Sequence, residues 1–66
     1  MALRALDLRR PSDEVETVRL RYRSRPVACR VVGDAVELDE PFEGAAPGQA
    51  AVLMAGDRVV GHATIA

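Results

Sequence analysis

Residues 18–23 alternate strictly: Val18, Leu20 and Tyr22 fall on one side, and Arg19, Arg21 and Arg23 on the other. A period of two sends successive side chains to opposite faces of an extended chain, so this segment predicts a half-buried strand. The rest of the chain repeats that signal. Val27, Cys29 and Val31 share one face of the β-rich run from Val27 to Val32. Gly33-Asp34 separates that run from Ala35–Asp39, and a glycine-led pair between two such runs predicts a two-residue hairpin. Gly56-Asp57 plays the same part between a strand over 50–54 and a last strand over 58–65, where Gly61 predicts a bulge.

Other residues punctuate these strands. Ser24-Arg25-Pro26 predicts a turn or corner, and at Pro41 the strand either ends or lies on an edge, because proline has no N–H to give to a ladder. Ala46-Pro47-Gly48-Gln49 fits a type II turn, with Pro47 fixing φ at the first central position and Gly48 accepting positive φ at the second. Residues 2–8 are ambiguous. Leu3 and Leu6 suit a helical turn, whereas Leu6 and Leu8 suit a strand. A strand is preferred, because a lone short helix would be marginal. Pro11-Ser12-Asp13 ends it. About six short strands with regularly spaced turns predict an all-β fold, a small closed or nearly closed β-barrel.

At 66 residues the chain is expected to form one domain, residues 1–66, with a small core. Tyr22 and Phe42 are its aromatic residues, so that core must be mainly Val, Leu, Ile and Ala. An autonomous enzyme with its own cleft is not expected at this size, and no catalytic residues are assigned. The single cysteine, Cys29, excludes an internal disulfide and a multi-cysteine zinc site. With His62 as the one imidazole, no metal and no cofactor is expected. No apolar run approaches the roughly 20 residues of a membrane helix, and the N-terminus has no signal-peptide core. A cytoplasmic protein without a membrane partner is the expectation.

The net charge of −1 conceals an asymmetry. Residues 1–33 hold eight arginines and four acids, 8 − 4 = +4; residues 34–66 hold Arg58 and six acids, 1 − 6 = −5. Either one face binds a polar partner, or the halves interleave and cancel. The arginine ladder is the strongest physical lead. Arg19, Arg21 and Arg23 would stand about 7 Å apart on one strand face, with Arg25 and Arg30 close in sequence. Phosphates along a nucleic-acid backbone have a comparable spacing, and arginine binds them bidentately. The candidate nucleic-acid-binding residues are therefore Arg19, Arg21, Arg23 and Arg30. The competing reading is a solvated strand face with Glu14, Glu16, Glu37 or Asp39 as partners.

Nucleophilic chemistry has little support. Cys29 alternates with valines and is expected to be buried, and His62 is expected on a strand surface or beside Gly61. Glu37, Asp39, Glu40 and Glu43 read as the solvated face of a hairpin rather than as paired carboxylates or a magnesium site. A phosphate-cradling loop ending Gly-Lys is impossible in a chain without lysine.

Several strings in fixed order resemble the C-terminal part of the tRNA-specific 2-thiouridylases, the MnmA family. They are Arg21-Tyr22-Arg23, Cys29 with Val31, Val36-Glu37-Leu38-Asp39-Glu40-Pro41, Ala46-Pro47-Gly48-Gln49-Ala50-Ala51-Val52-Leu53, Gly56-Asp57-Arg58-Val59-Val60-Gly61, and Ile65. The resemblance covers residues 18–65. It implies a β-barrel similar to the second domain of elongation factors, attached in the family to an ATP-binding PP-loop domain that carries the catalytic cysteines. It also implies that Cys29 is not catalytic. The expected function is that of a non-catalytic accessory barrel of a tRNA 2-thiouridylase-type system that helps to bind tRNA. The alternative is a protein-interaction module docking on a PP-loop sulfurtransferase partner. The chain departs from the family pattern at Leu38, at Leu53-Met54 and in its glycine-rich end, which here reads Gly61-His62-Ala63-Thr64-Ile65.

Overall fold

The computed structural model describes residues 1–20, 25–39 and 46–66. Six strands follow one another: β1 Leu3–Leu8, β2 Thr17–Arg19, β3 Val27–Val32, β4 Ala35–Leu38, β5 Ala50–Ala55 and β6 Arg58–Ile65. They form one antiparallel sheet in the order β1-β6-β5-β2-β3-β4. The sheet curls until its outer strands meet at one end. Ala2 bridges Ala35, the Val36 N–H donates to the Met1 carbonyl at 2.9 Å, and the Leu3 N–H donates to the Asp34 carbonyl at 3.0 Å. The expected all-β barrel is thus the fold. Curling hides part of the outer-strand edge that an open sheet would expose.

Alternation decides what lies inside. Val18, Val36 and Leu53 are fully buried, and Leu3, Leu20, Val27, Cys29, Ala51, Val60, Ala63 and Ile65 join them. The part of the expected strand 18–23 within the described residues keeps its phase, with Val18 and Leu20 inside and Arg19 between them facing out. Arg21, Tyr22, Arg23 and Ser24 lie outside the described residues, as do Glu40, Pro41, Phe42 and Glu43.

Both hairpins form where glycine precedes aspartate. Val32 pairs with Ala35 around Gly33-Asp34, and Ala55 pairs with Arg58 around Gly56-Asp57. Gly33 and Gly56 have φ of 61° and 60°, the geometry of a turn whose first central residue must be left-handed. The Glu16 carboxylate accepts from the Gly56 N–H at 2.5 Å and so ties this turn to the approach to β2. At the expected type II turn Gly48 has φ 90°, and the Gln49 N–H donates back to Ala46 at 3.2 Å. A Cβ on Gly48 would meet nothing within 4 Å, so only the backbone objects to a side chain there. Gly48→Val should therefore cost about 1–2 kcal/mol through strain alone. Thermal melts of the two proteins check it; an unchanged midpoint would contradict the turn geometry.

Two bulges set the phase of the β1–β6 pair. In β1, Arg4 faces Thr64 and Asp7 faces His62, so Ala5 and Leu6 together oppose one residue. Ala5 takes the left-handed conformation, φ 54°, as the first residue of a bulge often does. This resolves the ambiguous leucines. Leu3 precedes the extra residue and Leu6 and Leu8 follow it, so all three turn toward the core. In β6 the expected bulge at Gly61 sits one residue earlier. Leu53 faces Gly61 while Met54 faces Val59, which leaves Val60 as the extra residue. Gly61 itself marks a close approach: an added Cβ would stand 2.7 Å from Leu8 Cδ2 and 2.8 Å from the Asp7 carbonyl oxygen. A short 3-10 turn, Ser12–Glu14, follows Pro11 and carries the chain from β1 to β2.

Candidate nucleic-acid interface

The outer face of β1, β6, β5 and β2 is where the ladder's first arginine appears. Directly opposed residues in antiparallel strands share a face. Arg19 faces Val52, and Val52 faces His62, which faces Asp7; these four make one outward row across four strands. The next row toward the Gly48 turn holds Arg4, Thr64 and Ala50. On the other side lie Val59, Met54, Thr17 and Ala28. Arg19 is half-buried, and its Nε, shielded from solvent, has no hydrogen-bond partner among the described residues.

Arg30 is placed differently. It stands on β3 opposite Glu37 of β4, and its guanidinium donates to Glu37 at 2.6 Å. The hydrogen bond first, and the carboxylate charge second, hold Arg30 above the ordinary arginine pKa. A phosphate there must compete with a carboxylate already in place. Arg10 is similarly engaged by Glu14 at 2.9 Å. Arg25 is exposed. Arg21 and Arg23, the remaining ladder residues, lie outside the described residues. The two oppositely charged halves of the sequence interleave, since β1 pairs with β6, β2 with β5 and β3 with β4.

Cys29 and His62 do not meet. Cys29 points into the barrel from β3, whereas His62 is exposed on β6 with β5 and β2 between them. Burial, with Asp39 adding a smaller effect, raises the Cys29 thiol above its usual pKa, which makes it a poor nucleophile at neutral pH. Of the acidic stretch, Glu37 is the partner of Arg30. Among the described residues no group of three or more His, Cys, Asp or Glu side chains is arranged to hold a metal ion, and no helix is long and apolar enough to cross a membrane.

Sequence reasoning did not find the contact between the His62 imidazole and Asp7, whose Nε2 and Oδ2 are 3.5 Å apart. It depends on two bulges that no glycine or proline announces at Ala5 or Val60. The Arg30–Glu37 pair, by contrast, was accessible by counting outward from a two-residue turn.

A family model described as the aminomethyltransferase β-barrel domain matches residues 6–65. The chain is similar to the tRNA-specific 2-thiouridylase MnmA of Rhizorhabdus wittichii, 53% identical over 45 residues, which is 68% of this chain and 12% of that protein. It is 44% identical over 66 residues to the tRNA-specific 2-thiouridylase MnmA of Deinococcus radiodurans, 92% of this chain and 17% of that one. To the protein of the same name from Thermosynechococcus vestitus it is 46% identical over 55 residues, 74% and 15% respectively. The chain thus spans only 12% to 17% of the length of these relatives. No solved structure matches it.

Proposed function

We propose, for a chain that belongs to the aminomethyltransferase β-barrel domain family, that it is the non-catalytic accessory barrel of a tRNA 2-thiouridylase-type system and helps to hold the tRNA. The barrel is the part it shares with relatives whose names specify tRNA. The observation that carries the reading is Arg19, an arginine on the outer face of the curved sheet, in one row with Val52 and His62. Guanidinium matches phosphate geometry and reads no base, so the binding should be sequence-tolerant and salt-sensitive. Arg21 and Arg23 continue the same sequence phase. Arg30 contributes less, because binding there breaks its bond to Glu37. On this reading the chemistry belongs to a PP-loop partner, and the barrel alone transfers no sulfur.

Titration of the chain with tRNA at several salt concentrations tests this. Affinity should fall as salt rises, and Arg19→Ser should reduce the log–log slope by about 0.7–0.9, the contribution of one phosphate. Equal affinity and slope for wild type and variant would overturn the assignment. The docking alternative is favoured by one observation: Val59 is 60% exposed and lies opposite Met54 on the same outer face. Co-purification with a PP-loop protein, without RNA affinity, would put that reading first.

A further inference from the structure

The outer face carries an imidazole, His62, that the arginine ladder does not include. We propose that His62 and Arg19, facing each other across Val52, bind one RNA phosphodiester between them, and that protonation of His62 strengthens the grip. The inference rests on the RNA-binding reading above and names a pH-sensitive component of it.

The geometry begins with the bulges. Gly61, Ala63 and Ile65 face inward and His62 outward only because Val60 is an extra residue. Without it the alternation from buried Val60 would turn His62 into the barrel. The bulge at Ala5 does the same for Asp7, which otherwise shares the phase of buried Leu3. The imidazole is thereby held on the surface, 3.5 Å from the Asp7 carboxylate through Nε2, which leaves Nδ1 for a ligand.

Val52 is the direct cross-strand neighbour of both His62 and Arg19. Strands lie about 4.8 Å apart, so the two Cα atoms stand roughly 10 Å apart on one face. Two long polar side chains leaning over a valine can meet a single phosphate from either side. Val52 offers no acceptor to compete with it. The charged groups around His62 can be stated strand by strand. From β1 come Asp7, directly opposite, and Arg4, one row away opposite Thr64. From β5 come only Val52, Ala50 and Met54. From β2 comes Arg19, beyond Val52. On β6 itself the other charged residue is Arg58, at the far turn. Among the described residues, one carboxylate thus faces two nearby guanidinium groups. A phosphate supplies the anion that balances a charged imidazole beside these two guanidinium groups.

The test measures the affinity of the 66-residue chain for unfractionated tRNA at pH 5.5 and pH 8, in wild type, His62→Asn, His62→Arg and Arg19→Ser. Wild type should bind about two- to fivefold more tightly at the lower pH, the effect of one exposed ion pair. His62→Asn should lose that gain, and His62→Arg should bind tightly at both values. Arg19→Ser should weaken binding at both. If His62→Asn keeps the full pH dependence while Arg19→Ser is weakened, the histidine site is wrong and the RNA reading survives. If no variant and not the wild type binds tRNA at either pH, both fail. Nuclear magnetic resonance of the His62 ring supplies a second readout with inorganic phosphate as the probe. A shift from free phosphate as large as that from tRNA at equal phosphate concentration would overturn RNA as the ligand.

Discussion

Leu53→Ala is expected to leave the chain largely unfolded at physiological temperature. Leu53 is 0% exposed and lies in β5, between β6 and β2, so its side chain is enclosed by the whole sheet. Removing a buried leucine to alanine costs about 2–5 kcal/mol, more where the surroundings cannot collapse. A single core in a domain of this size supplies only about 3–5 kcal/mol in total. No disulfide offsets the loss, since Cys29 is a free thiol. Circular dichroism against temperature and urea will show the outcome. A variant that melts cooperatively within a few degrees of wild type would mean that the centre of the barrel lies elsewhere.

Gly61→Ala should also be damaging, although it adds only one methyl group, at a position without a positive φ. The new Cβ would stand 2.7 Å from Leu8 Cδ2, 2.8 Å from the Asp7 oxygen and 3.2 Å from Leu8 Cα. A flexible side-chain end can retreat; a carbonyl oxygen and a Cα in a paired strand cannot without moving β1. Overpacking of this kind costs about 1–3 kcal/mol, and each kcal/mol lowers the midpoint of a small domain by about 4–8 °C. The strain falls on the Asp7–His62 and Leu8–Gly61 pairs. Their amides should exchange with solvent faster in the variant. Unchanged melting and exchange would show that β1 does not press on β6 as described.

What could be learned from the sequence divides along physical lines. Turns were legible because Gly33, Gly48 and Gly56 occupy left-handed conformations that strongly favour glycine, beside proline or aspartate. The inward faces of β2 and β3 were legible because Val18, Leu20, Val27 and Cys29 alternate with polar or small residues. The phase of β1 was not, because its extra residue is an alanine at φ 54°, a conformation that composition gives no reason to expect there. The same holds for Val60, where the neighbouring glycine drew the bulge to itself while serving another purpose. The candidate site suffered accordingly. The outward placement of Arg19 could be read from its strand alone, whereas His62 and Asp7 reach the surface together only through both irregularities. Arg30 shows the opposite lesson: a cation chosen by sequence proximity proves to be half of a cross-strand ion pair.

The central claim is that tRNA lies on the outer face containing Arg19, and chemical-shift mapping of the isotope-labelled chain tests it most directly. On adding tRNA, the backbone amides of Arg19, Val52, His62 and Thr64 should shift together, and the shifts should fade as salt is raised. Amides around the Gly56-Asp57 turn, at the far end of the β5–β6 hairpin from Thr64, should stay in place. An unperturbed spectrum, or shifts confined to Ala55–Arg58, would contradict the account.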